Sequence, residues 1–197
     1  MLRVANEASF NAITVDSDMS TSDMALVFAT GKAGNKPVKS AADPALKDFR
    51  RALTAVMHDL ALQIVRDGEG AEKLVKITVS GAASDKAARI IAFSIANSPL
   101  VKTAIAGADA NWGRIVAAIG KAGQKADRDK LMIRIGKEVA ARNGDPNPAY
   151  HEARATKHLA GREIEIAADV GVGRGRSSVW TCDLTHRYIE INADYRS

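Results

Sequence analysis

Cysteine is nearly missing: Cys182 is the only one in 197 residues. A lone thiol excludes an intrachain disulfide and fits a reducing compartment, so a cytoplasmic setting is expected. Aromatic residues make up only 5% of the chain, so its core must rest on Ala, Val, Ile and Leu. No run of about 18 apolar residues occurs, and no membrane association is expected. The first ten residues lack the apolar stretch of a secretory signal. Internal repeats and low-complexity linkers are also missing, so one unit covering 1–197 is expected.

What is present is ordinary for a globular protein, with 46% hydrophobic and 26% charged residues. The net charge of +5 raises the question of nucleic acid. The basic residues, however, are dispersed among Glu and Asp. The densest basic stretch, Gly173-Arg174-Gly175-Arg176, holds two arginines and no aromatic platform for stacking bases. A solvated surface, or one that meets an acidic partner or anionic substrate, is the preferred reading. The nucleic-acid alternative would require steeply salt-dependent retention on DNA.

Helical and extended patterns alternate along the chain. Residues 2–12 read as a helix and 12–15 as strand-like. Asp43-Pro44 opens the clearest helix, with Asp at the N-cap and Pro at N1. Its apolar positions Leu46, Phe49, Leu53, Val56, Leu60 and Ile64 recur every three or four residues, and it stops at Asp67-Gly68-Glu69-Gly70. A strand is expected over 73–79, a helix capped by Ser84-Asp85 to about Asn97, and a strand over 100–106. A helix follows over 111–120. Residues 131–135 and 138–141 read as a strand pair, with a turn at Asn143-Gly144-Asp145-Pro146. A helix over 147–159 precedes strands at 162–168 and 179–184, and 188–191 closes the chain as a further extended piece. The fold class is mixed α/β, with a mixed rather than wholly parallel sheet.

Several short patterns suggest chemistry. Asp16, Asp18 and Ser20 alternate like calcium ligands. Thr21, however, stands where that loop needs Gly and Val27 where it needs Glu, so a hydrogen-bonded turn is preferred and no metal is expected. Cys182, Asp183 and His186 resemble a thiol–imidazole set, but strand neighbours diverge, and Cys182 reads as a small buried hydrophobe. Gly171-Val172-Gly173-Arg174-Gly175 imitates a phosphate loop without the strand–glycine–helix context, and a hairpin connection is preferred. Glu69, between two glycines, is either a solvated turn acid or a ligand for an ammonium group. The last six residues follow a strand-like segment and read as a docked tail.

Four stretches taken together resemble the ornithine acetyltransferase (bifunctional glutamate N-acetyltransferase) family. The first, Ser9 through Asp23 (SFNAITVDSDMSTSD), is similar to the family's S-F-N-x-I-T-V-D-G-D-x-S-T-N-D. The second, Asp67-Gly68-Glu69-Gly70-Ala71, lies within D-G-E-G-A-T-K. The third, Ala104 through Arg114 (AIAGADANWGR), is close to A-x-x-G-x-D-P-N-W-G-R. The fourth runs from Trp180-Thr181-Cys182-Asp183 to Asn192-Ala193-Asp194-Tyr195-Arg196-Ser197. Ser17, Ser22, Glu72 and Ala110 depart from the family's Gly, Asn, Thr and Pro.

The resemblance implies a layered α/β fold and an acyltransferase of arginine biosynthesis that is cut into α and β chains before a threonine in an A-T-M-L sequence. That threonine would carry the acetyl group from N-acetylornithine to glutamate. The chain is similar to the C-terminal, β part, starting after the threonine, so no catalytic nucleophile is expected within it. The resemblance implies substrate-binding roles for Glu69, Asn192 and Ser197. It also implies no cofactor, with acetyl-CoA as an alternative donor, and a hetero-oligomer with the α chain. A β-like chain that binds or assembles without catalysing is the alternative.

Overall fold

The structure is a computed structural model and describes residues 1–19, 22 and 24–195. A six-stranded mixed sheet organises it, with strands β1 (Leu74–Ala82), β2 (Met132–Ile135), β3 (Glu138–Arg142), β4 (Asp145–Pro146), β5 (Glu163–Asp169) and β6 (Gly175–Cys182). Their order is β4-β3-β2-β5-β1-β6. Only β1 and β5 run parallel; the other neighbours are antiparallel. The α/β class and the mixed sheet are as the sequence implies.

Alternation along β1 sends Val75, Ile77 and Val79 into the core, while Lys76 and Thr78 face the other side half-buried. The core side is covered by α3 (Asp85–Ala96), α4 (Pro99–Ala106), α5 (Trp112–Gly120) and α6 (Glu152–Leu159). Ile91 and Ile95 of α3 and Ile115 of α5 are fully or almost fully buried there. This core is aliphatic, as the scarcity of aromatics requires. Ser84 caps α3 by accepting the Ala87 amide, and Asn111 caps α5.

The Asp43-Pro44 start holds: Asp43 accepts the Ala45 amide at 2.9 Å, and a 3-10 turn over Pro44–Leu46 runs into α2 (Lys47–Arg66). The face that α2 buries is nevertheless Met57, Ala61 and Val65. The apolar stripe noted in the sequence looks outward, with Phe49, Val56, Leu60 and Ile64 each about half exposed. Periodicity locates a face that avoids water, not the surface that covers it.

Four readings need correction. Residues 100–106 form helix α4, not a strand; Pro99 at N1 starts it, and the alternating Val101, Thr103 and Ile105 imitate a strand. Residues 188–191 lie within helix α7 (His186–Asp194). The expected helix over 2–12 is broken into α1 (Leu2–Glu7) and a 3-10 turn over Phe10–Ala12, at Ser9, whose hydroxyl donates to the Ala5 carbonyl. Finally, the glycine-rich connection is no hairpin, because β5 and β6 flank β1 on opposite sides. The loop crosses the end of β1, where Val172 and Gly173 both donate to the Gly81 carbonyl at 2.7 Å. A Cβ on Gly175 would lie 2.2 Å from the Ser84 backbone, so the crossing requires glycine.

Candidate functional site

The four resemblance stretches, scattered along the chain, meet around one loop. Asp67–Gly70 leaves the C-terminus of α2, and Gly70 adopts φ 69°. A Cβ there would fall 2.5 Å from the Tyr188 amide nitrogen, so α7 sits directly on this glycine. The Thr185 hydroxyl, just before α7, donates to the Gly70 carbonyl at 2.7 Å. Asn192, further along α7, donates from Nδ2 to Glu69 Oε2 and to the Tyr188 carbonyl. Glu69 and Asn192 are both exposed. The structure therefore brings two of the expected binding residues together, while Ser197 lies outside the described residues.

The first stretch reaches this site through Asp16. Its Oδ2 accepts the Tyr188 hydroxyl at 2.9 Å, and its Oδ1 accepts the Asp18 amide in the expected turn; Ser20, Thr21 and Asp23 lie outside the described residues. The hydrogen bond to Asp16 is the main reason the Tyr188 phenol is pushed up to about 12, with burial adding to it. Between pH 10 and about 12 the unfolded chain has lost a proton that the folded chain keeps, so stability contributed by Tyr188 is lost across that window. Tyr188→Phe should flatten this alkaline decline, read by thermal unfolding at stepped pH; an unchanged slope would remove Tyr188 from the account.

The remaining two stretches pack beneath the loop. Asp183, which follows β6, is almost fully buried. Its Oδ1 accepts the amides of Glu72 at 2.9 Å and Lys73 at 3.0 Å. Lys73 Nζ donates to the carbonyls of Ile105 (2.6 Å) and Ala106 (3.1 Å), capping α4, whose dipole favours a cation there. Lys102 of α4 is buried and donates to Thr181 Oγ1 at 3.0 Å and to the Cys182 carbonyl. Its Nζ also lies 3.6 Å from Cys182 Sγ. Burial lowers the Lys102 ammonium below its ordinary value, against the opposing pull of Cys182 and Asp183. Cys182 is buried as expected. Burial pushes its thiol up, outweighing the neighbouring Lys102.

Sequence reasoning missed Lys102. The available signal was a single charged residue inside the mostly apolar Leu100–Ala106 run, since a charge there is buried only when paired. A groove of about 650 Å³ opens beside the loop, lined by Arg66, Glu72, Lys73 and Arg162 among others; neither Glu69 nor Asn192 lines it. Among the described residues no group of three or more His, Cys, Asp and Glu side chains is placed to hold a metal ion. No helix among them is long and apolar enough to cross a membrane.

A profile of the ArgJ family matches residues 1–197. The chain belongs to the ArgJ family. It is 58% identical over 197 residues to the arginine biosynthesis bifunctional protein ArgJ of Zymomonas mobilis, covering 100% of this chain and 48% of that protein. The protein of the same name from Rhizobium meliloti is 56% identical over 200 residues, with 100% and 48% covered. The crystal structure of arginine biosynthesis bifunctional protein argJ from Bacillus halodurans superimposes with a TM-score of 0.93 at 43% identity, covering 98% of this chain and 91% of that chain. The chain thus spans about half the length of the curated ArgJ relatives it matches, and nearly all of a solved ArgJ chain. At this similarity the loop, α7 and the sheet beneath them belong to the ArgJ fold.

Proposed function

We propose that this chain supplies the substrate-ammonium side of an acetyltransferase site in arginine biosynthesis. The reaction is transfer of an acetyl group from N-acetylornithine to glutamate through an acetyl-threonine. The 197 residues contain no A-T-M-L sequence, so in this reading the nucleophilic threonine, the first residue of the β part, lies in the longer protein outside these residues. The chain then corresponds to the C-terminal, β part. Its partner is the α part, and the two form a hetero-oligomer. No cofactor is needed, because a hydroxyl carries the acetyl group and its neighbouring α-amine activates it. Acetyl-CoA remains an alternative donor to the same hydroxyl.

The contact between Asn192 and Glu69, 123 positions apart, carries this reading. The amide orients a solvent-facing carboxylate on a loop pinned by Gly70, which suits an amino-acid ammonium. The outward stripe on α2 supports a partner polypeptide and would equally serve the second reading, a chain that assembles without catalysing.

The test is acetyl transfer from N-acetylornithine to glutamate by the full-length protein, by this chain alone, and by full-length Glu69→Gln. Transfer is expected only with the full-length form. A charge-assisted hydrogen bond is worth about 1.5 to 3 kcal/mol, so Glu69→Gln should lower kcat/KM roughly tenfold to a hundredfold. Transfer at the original kcat/KM in Glu69→Gln would remove the ammonium assignment. A full-length protein that transfers nothing but still binds ornithine would favour the assembly reading.

A further inference from the structure

Asp183 stands out among the groups this reading leaves unused. It is only 3% exposed and belongs to none of the positions that face solvent at the site. Oδ1 takes two consecutive amides, Glu72 and Lys73, which lie three and four residues beyond Glu69. Oδ2 is buried with no hydrogen-bond partner. A buried carboxylate oxygen without a partner is costly, and such a group persists where its other interactions offset that cost. Those interactions are the two amides and the nearby Lys102 ammonium.

The loop has few other anchors. Ala71 N–H closes a tight turn onto the Gly68 carbonyl, and Thr185 holds the Gly70 carbonyl from above. Gly68 itself abuts Val15, where an added Cβ would lie 3.0 Å from Cγ1. Thr185 and Asp183 are two residues apart, so one short segment grips the loop from a hydroxyl and from a carboxylate. β6 fixes Asp183 in place, because its last residue, Cys182, pairs with Leu74 of β1. The rigid sheet is thereby connected to the loop that carries Glu69.

We propose that Asp183 is a positioning residue for the ammonium site: its carboxylate clamps the backbone just after Glu69 and so fixes where the Glu69 carboxylate stands relative to Asn192. This rests on the acetyltransferase reading for its substrate, though not for the clamp itself. Asp183 does not act on substrate, since it is almost fully buried, one oxygen is committed to two amides and the other is enclosed.

Two measurements on the full-length protein decide it. The first is amide hydrogen exchange of the unmodified protein. Glu72 and Lys73 amides should be protected to the level of β1 amides; exchange as fast as an open loop would overturn the clamp. The second compares Asp183→Ala with Asp183→Asn in the acetyl-transfer assay and in binding of ornithine by calorimetry. Asparagine keeps the accepting oxygen, so Asp183→Asn should hold KM within about threefold. Asp183→Ala frees the loop and should raise KM at least about tenfold with a smaller change in kcat, since a displacement near 1 Å is felt strongly in a positioned site. An unchanged KM in Asp183→Ala, or equal damage in both variants, would overturn the positioning role. If Asp183→Ala does not fold, the exchange result and the Asp183→Asn KM decide between the same two outcomes. If the unmodified protein neither transfers acetyl nor binds ornithine, the acetyltransferase reading falls, while the exchange result still judges the clamp.

Discussion

Gly70→Ala is expected to abolish the site while leaving the sheet folded. A left-handed backbone costs an alanine about 1 to 2 kcal/mol by itself. Here the new Cβ also meets backbone, with the Tyr188 nitrogen at 2.5 Å and the Arg187 carbonyl carbon at 2.9 Å. Backbone in a helix start does not swing aside as a side chain would, so α7 must retreat. Its retreat separates Asn192 from Glu69, Thr185 from the Gly70 carbonyl and Tyr188 from Asp16. The expected loss is about 2 to 4 kcal/mol of stability and at least a hundredfold in kcat/KM. Gly123→Ala is the control: φ is 65° there too, but an added Cβ meets nothing within 4 Å, so only the backbone cost of about 1 kcal/mol should appear. Thermal unfolding of both variants checks the first part and acetyl transfer the second. Equal melting shifts in the two variants would contradict the packing of α7 on the loop.

Lys102→Ala should be the most damaging single change to stability away from the loop, at about 3 to 5 kcal/mol. It leaves the buried Asp183 charge without its counterpart, empties the space of a long stem and removes the ammonium from the Thr181 hydroxyl oxygen and the Cys182 carbonyl. Lys102→Met refills the space and should recover part of that loss. The pH dependence separates charge from packing. Burial holds the folded Lys102 below 10.5, so between its folded value and 10.5 the unfolded chain binds more protons and stability rises with pH. Lys102→Met should lose that alkaline rise, seen as the difference between the two stability–pH curves; identical curves would mean the charge is not buried.

Local chemistry made part of this fold readable. The cap at Ser84, the Asp43-Pro44 start and the turn at Asn143-Gly144, both with positive φ, all appear where their residue types require them. Residues 100–106 were not readable, because β-branched residues at alternate positions suit a strand, and only Pro99 argued for a helix. The tail failed for a similar reason: Tyr188 and Ile191 look strand-like, yet Asn192 reaches Glu69 only from a helix. Glu69 by itself was an ordinary turn acid, and only the resemblance singled it out. The roles of Asp183 and Lys102 were not readable, since their burial and pairing depend on how β6 and α4 lie against each other.

The place of β1 has a cost during synthesis. Its Leu74 pairs with Glu163 on one side and Cys182 on the other, so this apolar strand leaves the ribosome long before either neighbour exists. Such distant pairing closes a large loop first, and folding is correspondingly slow. Until residue 169 is free of the exit tunnel β1 offers two unpaired edges to other chains or to a chaperone, and until residue 182 is free it offers one. Ribosomal pausing or truncation before β6 should therefore give aggregated chains, whereas chains released with β6 in place should fold.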